Sequence, residues 1–303
     1  MSGDLAVATS VGFRLAESPV WDAARRRLLW VDIPAGQVLE GRLEHGSGTA
    51  TSVVVTGRHQ LDSMVGAVAV SDDGALLVAA QERLVVIDTD GVRHEGPRVL
   101  PPGSGRRCND GATDPAGRFV VGTLSLGDPT GAEELFRLEP DGKLVRLDGG
   151  LGLSNGIAWS TDGTRMFHVD SLAGCVYVRD HDPGTGAIGE REVFLRLGDG
   201  LPDGVATDSE DHLWVAVWGA GEVRRLDPAG AVVDRIEVPA PHTSSIAFAG
   251  DELDVLVVST AAEELSAAQL RQFPGSGHLF TTRVPVPGMP TTPWRRVVPS
   301  ATP

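Results

Sequence analysis

The sequence has few of the residues on which several common kinds of chemistry depend. Of its 26 basic residues only Lys143 is a lysine, so it has no phosphate-binding loop of the G-x-x-x-x-G-K type, and a lysine Schiff base is a poor hypothesis. The 41 acidic residues bring the net charge to −15, which disfavours binding to nucleic acid or to an anionic membrane surface. A small-molecule ligand is the remaining expectation, and no feature points to an obligate protein partner.

Cysteines, targeting signals and long apolar runs are also scarce. The two cysteines, Cys108 and Cys175, do not form a disulfide framework. Residues 1–10 lack a charged segment followed by an apolar one, so no signal peptide is expected. No apolar run approaches the roughly 18–20 residues that a membrane span needs. The sequence therefore predicts a cytoplasmic protein.

Glycine and proline, by contrast, are abundant, at 38 and 20 residues, and they punctuate a repeat. The repeated unit is a small residue, a short apolar strand, a turn that often contains Asp-Gly, and a second apolar strand. Its six copies begin near Pro19, Gly66, Gly111, Gly156, Gly204 and Ser245, at spacings of 47, 45, 45, 48 and 41 residues. A period of about 40–50 residues with several strands is typical of a β-propeller blade.

We therefore predict an all-β fold, a single domain over residues 1–303 that forms a six-bladed β-propeller with four-stranded blades around a central channel. Third strands such as Cys175–Val178 and Glu222–Leu226 fit four strands per blade. A β-sandwich would not explain six copies in phase. The one helical pattern, residues 261–272, is expected as a loop insertion in the last blade.

Three polar residues occupy nearly the same point of the repeat, just before its first strand. They are Glu17, Asn155 and Asp203. In a propeller such positions converge at the mouth of the channel, where buried polar groups need hydrogen bonds or a metal. Asn-Gly and Asp-Gly are also common turn caps, which is the better interpretation of any one of them alone. Three coincident oxygen donors favour a divalent cation, Ca²⁺ first, with Mg²⁺, Mn²⁺, Fe²⁺ or Zn²⁺ also compatible.

Two further patterns lie close to these positions. Arg107 and Asn109, beside the third ring position, could bind a carbonyl or hydroxylated substrate. Residues 152–156 match the G-x-S-x-G nucleophile elbow, but a strand-like run follows where the elbow requires a helix, so a serine nucleophile is a minor alternative. His168 lies in an apolar strand and is expected to be a core histidine with its hydrogen bonds satisfied.

Together these motifs resemble the senescence-marker-protein/gluconolactonase/luciferin-regenerating-enzyme family. The similarity extends over about residues 13–290 and rests on Glu17-Ser18-Pro19-Val20-Trp21-Asp22, Trp30-Val31-Asp32-Ile33, Asn109-Asp110-Gly111, Asp114-Pro115-Ala116-Gly117-Arg118, Ser154-Asn155-Gly156, Asp170-Ser171 and Pro202-Asp203-Gly204. The resemblance implies a six-bladed propeller that binds one divalent metal and hydrolyses sugar lactones. It also implies that Glu17, Asn155 and Asp203 bind the metal and that Arg107 and Asn109 contact the substrate.

The chain departs from regucalcin-like members of that family at three positions. Cys108 stands where an aromatic residue commonly precedes the Asn, and Ala112 stands where a lysine often follows the Gly. The run 122–128, which includes Ser125, has no acid at the point where those members carry a substrate-contacting glutamate. These departures affect the expected sugar contacts and leave the metal ligands unchanged.

The resulting hypothesis is metal-assisted opening of a lactone, a sugar lactone or related cyclic ester. The cation would polarise the carbonyl and activate a water, and Asp203 would act as general base. Two alternatives remain: a metal-dependent esterase or phosphotriesterase-like propeller, and a non-catalytic calcium- or ligand-binding propeller.

Overall fold

The computed structural model describes residues 5–45 and 51–296, and within these ranges the chain is almost entirely β-strand. The strands form six four-stranded antiparallel sheets. The first strand of each sheet contacts the first strands of both neighbouring sheets, so these six strands close a ring around a central axis. The predicted six-bladed β-propeller with four-stranded blades is confirmed.

Blades 1 to 3 follow one another along the chain. After β1 (Ala6–Val7), blade 1 contains β2 (Ala16–Asp22), β3 (Arg27–Asp32), β4 (Gln37–His45) and β5 (Thr51–Gln60); blade 2 contains β6 (Val65–Val70), β7 (Leu76–Ala80), β8 (Arg83–Ile87) and β9 (Arg93–Arg98); blade 3 contains β10 (Arg106–Thr113), β11 (Phe119–Ser125), β12 (Glu133–Leu138) and β13 (Leu144–Leu151). In each of these blades, chain order is also the order from the axis outward.

Blades 4 and 5 repeat this arrangement, whereas blade 6 does not. Blade 4 contains β14 (Ser154–Trp159), β15 (Arg165–Asp170), β16 (Cys175–Asp180) and β17 (Glu192–Arg196); blade 5 contains β18 (Leu201–Thr207), β19 (Leu213–Trp218), β20 (Glu222–Leu226) and β21 (Val232–Glu237); blade 6 contains β22 (Thr243–Ala249), β23 (Val255–Thr260), β24 (Phe280–Arg283) and β1. Ala6 pairs with Thr281 and Val7 with Phe280, so the N-terminal strand completes the last blade and closes the ring.

The helical segment is shorter than the sequence pattern predicts. Helix α1 spans Ala267–Gln272, because Ser266 forms its N-cap and makes a capping box with Gln269. Ala261, at the start of the predicted helix, instead forms a β-bridge with Leu15 of blade 1. The prediction of a helix over 261–272 is therefore wrong in its first half. Within the described ranges no helix is long and apolar enough to cross a membrane.

The apolar core lies between the blades. Each of six clusters of buried residues combines side chains from two adjacent blades, and the largest fully buried side chains, Trp30 and Trp214, lie in two of these clusters. Burying a side chain of this class contributes roughly 1.5–3 kcal/mol relative to leaving it exposed. Because the blades pack against each other, the axis itself can remain an open channel.

The channel, a cavity of about 290 Å³, is lined at one end by Ser18 and Asp110 and at the other by residues 289–292. The C-terminal segment crosses this second end. Met289 N–H donates to the Thr207 carbonyl in blade 5 (3.1 Å), and Trp294 N–H donates to the Val70 carbonyl in blade 2 (2.7 Å). Blades 5 and 2 lie on opposite sides of a six-membered ring, so the segment lies across the channel.

Candidate active site

A β-bulge occurs at the same point of the inner hairpin in all six blades. In four blades two residues of the first strand oppose one residue of the second; these pairs are Ser18-Pro19, Asn109-Asp110, Asn155-Gly156 and Asp203-Gly204. In blades 2 and 6 the irregularity involves the single residues Gly66 and Ser244. Bulges redirect side chains out of the regular pleat. Asn109, Asn155 and Asp203 lie in these bulges, whereas Glu17 directly precedes the bulge of blade 1.

Glycines next to the bulges allow adjacent inner strands to approach closely. A Cβ atom on Gly156 would lie 2.4 Å from the carbonyl oxygen of Asp203, and one on Gly66 would lie 2.4 Å from the carbonyl oxygen of Asn109. Real Cβ atoms do not approach an oxygen so closely, so any larger residue would push the strands apart. The Gly of each pattern thus determines where the neighbouring polar residue lies.

Three carboxyl groups and one guanidinium are buried together in this ring. Glu17, Asp110, Asp203 and Arg107 are each at most 8% exposed. Burial, together with the charge of Asp110, raises the pKa of Glu17 from 4.5 to about 8. Burial and the charges of Glu17 and Asp110 raise the pKa of Asp203 well above its ordinary value, although Arg107 opposes this shift. The ionised carboxylates would together carry more negative charge than the single guanidinium balances, so the metal-free ring favours their protonated forms.

Arg107 and the two asparagines form a hydrogen-bonded chain. Arg107 Nη1 donates to Asn109 Oδ1 (2.7 Å), and Asn109 Nδ2 donates to Asn155 Oδ1 (3.1 Å) and to the Ser154 carbonyl (2.8 Å). Asn155 Nδ2 donates to Ser171 Oγ (3.1 Å). This chain fixes the amide orientations, so Asn155 turns its oxygen toward the ring.

The carboxylates of Glu17 and Asp203 receive little compensation from protein donors. Among the described residues, Glu17 Oε2 accepts only from the N–H of Ser18 (2.8 Å), whose φ of 48° is the left-handed conformation. Asp203 Oδ1 is buried with no hydrogen-bond partner in the part of the chain that the structure describes. A buried, unpaired carboxylate oxygen beside a second buried carboxylate is unfavourable without a cation.

Of the predicted residues, the structure thus brings Glu17, Arg107, Asn109, Asn155 and Asp203 to one end of the channel. Their donors, two carboxylates and an amide oxygen, suit a hard divalent cation chemically. Within residues 5–45 and 51–296, no three Asp, Glu, His or Cys side chains are clustered as a metal site by themselves. The two-carboxylate, one-amide set is consistent with that finding, and metal binding at it remains a prediction.

Asp110 is a site residue that the sequence reasoning did not select. Its Oδ1 accepts from Ser18 Oγ (2.7 Å) and from the Gly111 N–H (2.8 Å), and burial raises its pKa. It belongs to the same bulge as Asn109, and it precedes glycine as Asn155 and Asp203 do. This shared position before glycine could have identified Asp110 from the sequence.

The departures at Cys108, Ala112 and Ser125 have different structural outcomes. Cys108 is fully buried, which raises its thiol pKa to about 12, so it is not a reactive thiolate. Ala112 lines the channel. Ser125 Oγ donates to Glu133 Oε1 (2.6 Å), and Arg106 and Thr123 donate to the other oxygen of that buried carboxylate. An acid does lie near Ser125, but β12 supplies it and protein donors occupy it.

His168 differs from the expectation of a satisfied core histidine. It is fully buried, and its Nε2 pairs with Ser154 Oγ at 2.7 Å. Its Nδ1 has no partner among the described residues, so only half of the ring is satisfied. Burial lowers the pKa of His168 to about 3, which keeps it neutral. Ser154 is also fully buried and opens strand β14, so the G-x-S-x-G pattern does not form a nucleophile elbow.

Comparison with known proteins is consistent with this geometry. The model of the SMP-30/gluconolactonase/LRE-like family matches residues 15–262. The chain is 35% identical over 283 residues to a pentonolactonase of Haloferax volcanii, covering 91% of this chain and 93% of that protein. It is 34% identical over 279 residues to a 6-deoxy-6-sulfogluconolactonase of Pseudomonas putida, covering 90% and 92%.

A solved structure extends the similarity to three dimensions. A regucalcin of Agrobacterium tumefaciens, described as a calcium-binding protein, superimposes with a TM-score of 0.88 at 30% identity. The match covers 97% of this chain and 98% of that one.

Proposed function

The chain belongs to the SMP-30/gluconolactonase/LRE-like family, and from this membership we propose that it is a hydrolase that opens a lactone ring. A sugar lactone is the first candidate substrate, because two relatives are named for lactones of sugar acids. The single observation that supports the proposal best is the buried Asp203 carboxylate, whose Oδ1 has no donor among the described residues, in the same ring as Arg107.

The proposal includes one divalent cation, with Ca²⁺ as the first choice and Mg²⁺, Mn²⁺, Fe²⁺ or Zn²⁺ as alternatives. Glu17, Asn155 and Asp203 would hold it, since a divalent cation would supply the positive charge that the two buried carboxyl groups lack, as their raised pKa values indicate. When bound, such a cation supplies Lewis-acid polarisation of a carbonyl and a lower pKa of bound water.

In this proposal Asp203 is the general base. Its carboxyl group is buried and its Oδ1 has no donor among the described residues, so this oxygen is available to accept a proton from water. Asp203 takes a proton from the attacking water as the water oxygen bonds to the lactone carbonyl carbon. The proton returns to the ring oxygen as the ring C–O bond breaks, so the product is the open hydroxy acid.

Arg107 and Asn109 would orient the substrate and stabilise the developing oxyanion. The described hydrogen bonds of Arg107 both start from Nη1, to Asn109 Oδ1 and to the Cys108 carbonyl. Within residues 5–45 and 51–296, Nε and Nη2 pair with no protein acceptor, so these N–H groups remain for a ligand.

The second candidate is a calcium-binding propeller without turnover. It is retained because the similar regucalcin structure is described as a calcium-binding protein. A metal-dependent esterase or phosphotriesterase-like activity is the third, since the region around Ser125 lacks the usual acid contact.

A chelation and add-back experiment on a substrate panel separates these candidates. Wild-type protein and Asp203→Ala are treated with EDTA, reloaded with each divalent cation, and assayed on aldonolactones, simple lactones, aryl esters and a phosphotriester. We expect wild-type protein to hydrolyse a lactone, EDTA to abolish this turnover, and an added cation to restore it. Asp203→Ala should show no turnover. Turnover that survives both EDTA and Asp203→Ala would contradict it, and calcium binding without turnover would favour the second candidate.

A further inference from the structure

An aromatic side chain lies at the rim of the candidate site, outside the ring of polar residues. Trp218 is the last residue of β19 and pairs with Leu201 of β18, two residues before Asp203. At about 3.3 Å per residue along a strand and 4.8 Å between strands, its Cα lies on the order of 8 Å from that of Asp203. Trp218 therefore belongs to the same end of the channel as the proposed general base.

Neighbouring residues hold this tryptophan in place. The His242 ring stacks on the indole, with ring centroids 4.1 Å apart and planes 13° from parallel. The two residues also form a β-bridge, and the Gly219 N–H donates to the Pro241 carbonyl (2.9 Å). His242 Nδ1 bonds to the Glu263 carbonyl (3.0 Å). The indole is half-buried, so a ligand would meet a ring whose position is already set.

Two exposed leucines lie at corresponding points of blades 3 and 4. Leu126 directly follows β11 and is 43% exposed, and Leu172 lies two residues after β15 and is 46% exposed. Leu172 Cβ lies 2.9 Å from where a Cβ of Gly152 would be, in the turn that leads into β14 and Asn155. Single exposed apolar residues are ordinary, but these two leucines and the half-buried Trp218 lie at or just after the ends of second strands in three consecutive blades.

The opposite side of the rim is charged. Arg14, just before β2, pairs with Glu263 of blade 6, with Nη2 to Oε1 at 2.9 Å, and Arg14 is well exposed. Ion pairs also lie at this end of blades 3 and 5, Arg106 with Glu133 and Arg224 with Asp199, so the two leucines and Trp218 are apolar positions on a largely charged rim. A lactone, which has both C–H surface and oxygen atoms, can make both kinds of contact.

We propose that Trp218, positioned by His242, packs against the carbon face of the lactone ring and thereby selects lactones that present an apolar face on that side. The inference rests on the proposed lactonase function and adds a specificity-determining residue to it. Aromatic rings favour C–H surfaces because burial of apolar area and dispersion both contribute. Trp218 would bind the ring without taking part in proton transfer.

The test compares steady-state kinetics of the metal-loaded protein carrying Trp218→Ala, Trp218→Phe, His242→Ala or the control Val233→Ala. Val233 is an exposed residue of β21 in the same blade, 51% exposed and on its outermost strand. The substrates are the best aldonolactone and its deoxy analogue with one hydroxyl fewer. Bound metal and thermal unfolding are measured for each variant, so that a folding defect is recognised.

We expect Trp218→Ala to raise KM about 10-fold with kcat within about 3-fold, and to reduce discrimination between the two lactones. Trp218→Phe should restore most of the affinity, and His242→Ala should lie between. Unchanged KM and selectivity in a folded, metal-loaded Trp218→Ala would overturn the inference alone. Absence of lactone turnover by the wild-type protein would overturn the proposed function, and this inference with it.

Discussion

Two aspartates at the two ends of strand β18 show how differently this fold treats buried carboxylates. Asp208, just beyond the strand, is fully buried and accepts from Trp214 Nε1 (2.9 Å), Arg225 Nε (2.7 Å) and the backbone N–H groups of Glu210 and His212. Asp203, near its start, is 5% exposed, and its Oδ1 has no donor among the described residues. The two aspartates are similarly buried, but only Asp208 has hydrogen-bond donors among the described residues for both of its carboxylate oxygens.

The same contrast holds between Asp114, at the opposite end of the channel, and the pair Glu17 and Asp203. At the end with the Asp-Gly turns, Asp114 accepts from Arg118 Nε (2.6 Å) and from two backbone N–H groups. At the other end Glu17 and Asp203 lie together with raised pKa values. Satisfied carboxylates stabilise turns, whereas under-satisfied ones cost stability and persist for a reason of function. The comparison therefore favours the end of the channel with Glu17 and Asp203 as the candidate functional end, independently of any relative.

The largest expected effect is on activity. Asp203→Asn should lower kcat about 10³-fold or more, because the proposed base and an anionic metal ligand are both lost. The stability of the metal-free protein should remain equal or rise, because one of the repelling carboxylates is neutralised. Steady-state kinetics and urea denaturation in EDTA measure the two effects. A clear loss of stability in the metal-free protein would instead indicate that Asp203 stabilises the fold, as Asp208 does.

Substitution of Asp208 should lower the stability of the fold and leave the catalytic rate almost unchanged. Asp208→Ala leaves Trp214 Nε1 and Arg225 without their shared acceptor, so we expect a loss of about 3 kcal/mol in the free energy of unfolding. Activity per folded, metal-loaded molecule should stay within a few-fold of wild type. Denaturant titration combined with active-site counting checks both numbers, and intact stability would contradict the structural role.

A smaller effect should appear in the pH dependence of stability. Because the pKa of Glu17 in the folded protein is about 8 and its ordinary value is 4.5, the folded state favours the protonated acid. The contribution is fully present below about pH 4.5 and is lost as the pH rises through about 8. Metal-free protein should thus lose stability over this window, and Glu17→Gln should flatten the slope. Urea midpoints measured in EDTA from pH 5 to 8.5, with and without the substitution, test this expectation.

The sequence was sufficient to predict the fold because the repeated unit occurs six times. The period and the alternation of strands and turns predicted six four-stranded blades. The pairing of Ala6–Val7 with β24 was not predicted, because two residues carry too little periodicity to identify a strand. The predicted helix began too early, because Ala261 forms a long-range bridge to Leu15 that no local pattern indicates.

For the candidate site, the sequence indicated which residues come together but not the hydrogen bonds and burial of their side chains. The repeat phase selected Glu17, Asn155 and Asp203, and the structure adds the bulges and glycine contacts that set their directions. Asp110 precedes Gly111 as Asn155 precedes Gly156, but it was missed because its neighbour Asn109 was selected in its place. Side chains distant in sequence surround His168, whose Nδ1 has no partner among the described residues, and saturate Glu133, so only the three-dimensional packing reveals these environments.

Calcium titration of EDTA-treated protein by isothermal calorimetry tests the central claim, that Glu17, Asn155 and Asp203 form a cation site. We predict that wild-type protein binds one calcium ion per chain and that both Glu17→Gln and Asp203→Asn bind it at least 100-fold more weakly. Asp208→Asn, the matched control at the other end of β18, should bind as wild type does wherever it remains folded. Equal calcium affinity in wild type, Glu17→Gln and Asp203→Asn would contradict the account.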